Sequence, residues 1–126
     1  MTLGTQHPMP ETQRKRNPLV LPYPPAILNP NRKAHWAKKS SAAKKYRTDV
    51  WAVCKSMGFS SRRFSITFHA PDGRRRDLDN VIAAFKAGQD GLSDAMGVDD
   101  SEFRPSHRMG EPWPKRGAVV VEACNG

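Results

Sequence analysis

Asp77 and Asp79 stand two residues apart, directly after three consecutive arginines, Arg74, Arg75 and Arg76. In an extended segment residues i and i+2 project to the same side, so this spacing lets both carboxylates converge on one point. Two anions that close raise one pKa unless a cation lies between them. Hard divalent ions such as Mg²⁺ or Mn²⁺ take oxygen donors of this kind. Asp99 and Asp100 follow one helix later, where the chain can return either to the same end of a sheet. Three carboxylates are the usual equipment for metal-assisted phosphodiester cleavage. The competing account has Asp79 or Asn80 capping the helix that follows, with Asp77 paired to an arginine, because capping Asp is common. An EF-hand is excluded, since Asp77-Leu78-Asp79-Asn80 lacks the Gly and Glu at the required offsets.

The charge around these acids is uneven. The 126 residues carry 21 Lys+Arg and 12 Asp+Glu, a formal net charge of +9. Residues 1–47 hold ten Lys/Arg and one acid, residues 48–76 six and two, and residues 77–126 five and nine. The basic part is N-terminal and abuts an acid-rich part at Arg76/Asp77. A strongly basic chain is drawn to polyanions, because phosphate contacts release condensed counterions. Arg32, Lys33, Lys38, Lys39, Lys44 and Lys45 extend the surface begun by Arg74–Arg76 and Asn80. Such contacts position a nucleic-acid backbone without reading its sequence. Taken singly, Lys44 and Lys45 also suit a solvated helix face.

Cys54 and Cys124 have no CxxC pairing, so neither a zinc ribbon nor a disulfide framework is expected. The longest apolar run, Leu19 to Leu28, contains three prolines and cannot span a membrane. No basic segment followed by an apolar stretch opens the chain, so a cytoplasmic location is expected.

The elements that must position the acids are legible in outline. Residues 1–16 lack apolar periodicity and read as a disordered tail, leaving 17–126 as one domain. Asn17–Pro22 reads as a first strand, closed by Tyr23-Pro24-Pro25. Ser40 or Ser41 can cap a helix running to Met57, with the stripe Tyr46, Val50, Val53, Cys54 and Met57. Phe64, Ile66 and Phe68 alternate with polar residues as a half-buried strand, one that could form an exposed edge. A second helix follows Asn80, with Val81, Ala84, Phe85, Gly88, Leu92, Ala95 and Met96 on one face. Gly88 and Gly91 permit close packing or a kink, and Gly97 stops the helix. Phe103–Met109 and Gly117–Cys124 complete a β-α-β-α-β-β order. That order implies a small α/β (α+β) domain, with a mixed sheet of about four strands and two main helices.

With RRRDLDN (Arg74–Asn80), a helix and then VDD (Val98–Asp100), the sequence resembles the RusA family of Holliday-junction resolvases. Leu21-Pro22-Tyr23-Pro24-Pro25, with Asn29 beyond, resembles that family's opening strand and loop, and the resemblance runs from residue 18 to 124. It implies a homodimeric, Mg²⁺-dependent endonuclease (Mn²⁺ can substitute) that resolves four-way DNA junctions by paired symmetric nicks. Asp77 and Asp79 then match the family's DxD carboxylates and Asp100 its third acidic position, with Asp99 the nearest competitor. The family's lysine, four residues after the second Asp, is Ala83 here. Lys86 is the stand-in, a point charge beside the scissile phosphate; its alternative role is a solvated helix lysine. The resemblance also implies a bacterial or phage-encoded protein without a membrane partner.

Two other accounts compete. A non-catalytic basic module explains the charge but not the gathered acids. A nuclease of the same chemistry could act on other branched DNA. His7, His35, His69 and His107 have no ligand spacing, and only His69 falls near the acids. Trp36 reads as core cover.

Overall fold

A computed structural model of the chain describes residues 18–124; the tail expected over residues 1–16 lies outside them. Strand β1 (Leu19–Leu21) is followed by a 3-10 turn at Ala26–Leu28 and helix α1 (Trp36–Met57). Strand β2 (Arg63–His69) leads to helices α2 (Leu78–Ala84) and α3 (Lys86–Met96). A second 3-10 turn (Asp100–Glu102) precedes β3 (Arg104–Met109) and β4 (Ala118–Ala123). The strands form one mixed sheet in the order β1-β4-β2-β3. β4 runs antiparallel to β1 and β2, whereas β2 and β3 are parallel. A parallel pair needs a long crossover, and α2 with α3 supplies it.

Period-two alternation decides which sheet face is covered. Phe64, Ile66 and Phe68 point to one side with Leu19, Leu21, Val119 and Val121, and all seven are at most 1% exposed. Burying a side chain of this size contributes about 1.5–3 kcal/mol each. Helix α1 covers that face with Tyr46, Val50 and Cys54, and α2 and α3 add Val81, Phe85 and Leu92. Phe85 meets Tyr46 and Phe68 edge-on, with ring centroids 6.2 and 5.6 Å apart. The Tyr46 hydroxyl donates to Pro22 O at 2.6 Å, tying α1 to the end of β1. Burial raises the pKa of that phenol, so it stays a donor.

Several expectations are corrected. Helix α1 begins at Trp36 rather than near Ser40, because His35 supplies the cap: its Nδ1 accepts from Ala37 N at 3.2 Å. Trp36 is therefore not core cover; it is 75% exposed. Met57 drops out of the stripe and is exposed. β2 is not an edge, because β4 and β3 flank it. The second helix is interrupted at Phe85, which separates α2 from α3. The glycines act by close packing: a Cβ on Gly91 would lie 2.5 Å from the Arg47 carbonyl oxygen, and one on Gly88 2.8 Å from the Tyr46 ring.

Candidate active site and nucleic-acid groove

The loop from Ala70 to Asp77 carries the arginines, and its own hydrogen bonds shape it. Asp72 Oδ1 accepts from Arg74 N at 3.0 Å and lies 2.9 Å from an Arg76 guanidinium nitrogen. That nitrogen also donates to the carbonyls of Asp72 and Arg74, both at 3.1 Å. The Arg76 hydrogen bond, then the Arg74 amide, hold the Asp72 carboxyl down to about 2. Arg76 is consequently a loop clamp as well as a cation. Arg75 is exposed and meets no acid among the described residues.

The two aspartates after the arginines do not lie in one extended run. Asp77 is extended (φ −82°, ψ 121°) and caps α2, its Oδ1 accepting from Asp79 N at 2.9 Å. Asp79 already belongs to the first helical turn, where i and i+2 side chains do not share a face. The capping role is thus real and belongs to Asp77. Asp79 and Asn80 are helical residues rather than caps. The Asp79 carboxylate accepts no hydrogen bond from any described residue.

Asp99 caps the 3-10 turn through Ser101 N, at 2.9 Å, and that amide bond is the main cause of its lowered pKa. Asp100 Oδ2 lies 2.7 Å from Lys86 Nζ, which also reaches Asp90 Oδ1 at 3.0 Å. These hydrogen bonds, Asp100 first, raise the Lys86 pKa. The fold therefore brings together Lys86 and Asp100, which lie in separate parts of the sequence, and adds Asp90, which sequence reasoning missed. Its signal was the i, i+4 spacing from Lys86.

No group of three or more His, Cys, Asp or Glu gathers among the described residues to hold a metal ion. Carboxylate oxygens are the donor class a hard divalent cation takes. The Asp79 carboxylate and the second oxygen of Asp77 are of that donor class, while Asp100 is paired with the Lys86 ammonium.

Beside the arginine loop opens a cavity of about 570 Å³. Arg32, Arg74 and Arg76 line it, as do Lys115 and Arg116 from the β3–β4 loop, and no acid is among its lining residues. Lys115 and Arg116 were missed because nothing in their local sequence links them to residues 70–76. Tertiary hydrogen bonds make the link: Trp113 N donates to Ala70 O at 2.8 Å, and Gly117 N to Trp113 O at 3.0 Å. Gly117 has φ +69°, and a Cβ there would lie 2.7 Å from His69 O. Lys115 holds φ +80°, a conformation that costs a side-chain-bearing residue about 1–3 kcal/mol.

The remaining basic residues are dispersed. Lys33 and Lys38 are exposed, and Lys39 reaches Asn29 O at 3.3 Å, which ties α1 to the cavity wall. Lys44 is exposed, whereas Lys45 pairs with Asp49 at 2.8 Å. His69 is drawn to the β3–β4 loop, stacked on Trp113 (centroids 4.6 Å apart) with Nδ1 2.8 Å from Glu111 O.

No protein-family model matches the chain. It is 33% identical over 116 residues to an uncharacterized protein of Xylella fastidiosa (strain Temecula1 / ATCC 700964), covering 86% of this chain and 75% of that one. It is 32% identical over 94 residues to the crossover junction endodeoxyribonuclease rusA of Enterobacteria phage HK97, covering 66% of this chain and 72% of the phage protein.

Proposed function

This chain belongs to the RusA family of crossover junction endodeoxyribonucleases, and from that premise we propose that it nicks four-way DNA junctions in paired, symmetric cuts during recombination and repair. The similarity to the phage enzyme carries the reading. The cation-lined cavity next to RRRDLDN supports it, as a seat for the phosphates of one junction arm. Arg75, exposed on the same loop, adds a further phosphate contact.

The proposed cofactor is Mg²⁺, with Mn²⁺ as substitute. Asp77 and Asp79 are the residues that would hold it, and when bound it supplies Lewis-acid polarisation of the phosphate. The chain's own part is to hold the backbone through Arg74, Arg76, Lys115 and Arg116 and to keep Lys86 charged beside Asp100. A C₂ homodimer suits the substrate, since a junction has two-fold symmetry and paired nicks need two equivalent sites. Among the described residues no helix is long and apolar enough to cross a membrane; a cytoplasmic setting is part of the same proposal.

A non-catalytic DNA-binding module is the second reading, favoured by the Lys86–Asp100 pairing and the absence of a three-acid group among the described residues. One experiment separates the accounts. Purified protein with Mg²⁺ is offered a synthetic four-way junction, a flap and a linear duplex of matched sequence. Paired symmetric incision of the junction alone is expected. Incision of the flap at an equal rate would move the reading to general branched DNA, and binding without any incision would leave only the module.

A further inference from the structure

Trp36 carries an observation that the phosphate groove does not absorb. It is the most exposed large hydrophobic residue among those described, at 75%. Its ring contact is with His35, with centroids 5.8 Å apart and planes inclined by 28°. The His35 ring is fixed in turn, because its Nδ1 accepts from Ala37 N as the cap of α1. A large apolar ring this exposed lies outside the core, and its contact is with a pre-positioned partner.

The surroundings of this ring are cationic. Arg32, four residues earlier, lines the groove. Lys39, three residues later, is tied to the groove wall through Asn29 O. Lys33, three residues earlier in the chain, is exposed, and no acid lies between Arg32 and Lys45. An aromatic face within a positive surface is the combination that binds unstacked nucleobases, with cations following the backbone while the ring takes the base. A fully paired duplex keeps its bases stacked and offers no face to such a ring. A branch point, where the continuous stack of an arm is interrupted, can offer one.

We infer that the His35–Trp36 pair is a base-stacking platform that takes an unstacked nucleobase at the branch point and so distinguishes branched DNA from duplex. The inference rests on the proposed junction reading and adds its means of recognition. Trp36 is a positioning residue here, remote in role from bond cleavage.

The test is equilibrium binding of the full chain, without divalent metal so that nothing is cut. The probes are a four-way junction carrying 2-aminopurine at the branch point and a linear duplex with the sequence of one arm. Wild type is expected to prefer the junction and to change the 2-aminopurine fluorescence. W36A should bind the junction about 5- to 100-fold more weakly and lose the fluorescence change. Its duplex affinity should stay within about twofold of wild type, and W36F should restore most of the preference. Thermal melts of both variants should match wild type, because the side chain lies in water. Wild type with no junction preference overturns the junction reading itself. Wild type that prefers the junction, with W36A keeping that preference or losing junction and duplex affinity equally, overturns the stacking inference alone.

Discussion

Lys86 Nζ lies within 3.0 Å of both Asp90 and Asp100, with all three side chains partly open to water. Exposed pairs of this kind contribute only about 0–1 kcal/mol to stability, so their value lies in where they hold the charges. Asp79 differs, with its carboxylate free of donors among the described residues. We expect Asp79→Asn to keep junction binding and to lower metal-dependent nicking by more than the roughly 10- to 100-fold typical of outer-sphere changes; parallel binding and incision assays check this. His107 supplies a second prediction at this scale. It stacks on Phe68 with planes inclined by 4°, and its Nε2 is buried with no hydrogen-bond partner among the described residues. Burial lowers its pKa in the folded state, so the unfolded chain takes up the proton at a higher pH. Its cost to folding is absent above about pH 6.5 and grows as pH falls through that value. His107→Phe should raise stability by about 1 kcal/mol at pH 5, more than at pH 7.5, as read from denaturant melts at the two pH values.

At the scale of elements, the contact of α1 with α3 decides whether the helices can lie over the sheet. Gly91 puts the α3 backbone against the Arg47 carbonyl, and Arg47 also pairs with Asp94 at 2.6 Å across that seam. Helix propensity alone would make Ala the better residue by about 1 kcal/mol. The geometry reverses that sign, since a Cβ 2.5 Å from a backbone oxygen forces the helices apart. Gly91→Ala should destabilise by about 1–3 kcal/mol. Gly97 provides the comparison: it has φ +68° and open space around it, so Gly97→Ala should cost only about 1 kcal/mol from backbone strain. Chemical denaturation of the two variants distinguishes clash from strain. The α2–α3 interruption at Phe85 was hidden in the sequence because the apolar stripe passes through it without a change of period.

At the scale of the whole molecule, cations from distant parts of the chain share one cavity. Arg32, Arg74, Arg76, Lys115 and Arg116 meet at one cavity from three separate stretches of chain. If about five phosphates are contacted, the slope of log affinity against log salt should be near −4 to −5, at about −0.9 per contact. Lys115→Ala and Arg116→Ala should each flatten that slope by about one and weaken junction and duplex alike. Anisotropy titrations at several salt concentrations measure both effects. A slope near zero would remove the groove from the DNA-binding surface.

Strand β2, the core stripe Tyr46-Val50-Cys54 and the stop at Gly97 were all readable from the sequence, because periodicity and left-handed glycine are local properties. RRRDLDN nominated candidate donors and cations for the same reason, since residue type and spacing are local. Local order could not tell that Lys86 takes Asp100, or that Lys115 and Arg116 fold back beside Arg74. Those relations depend on the crossover between β2 and β3 and on the Trp113–Ala70 hydrogen bond. Each joins residues far apart along the chain, and only packing against a shared sheet brings them within reach.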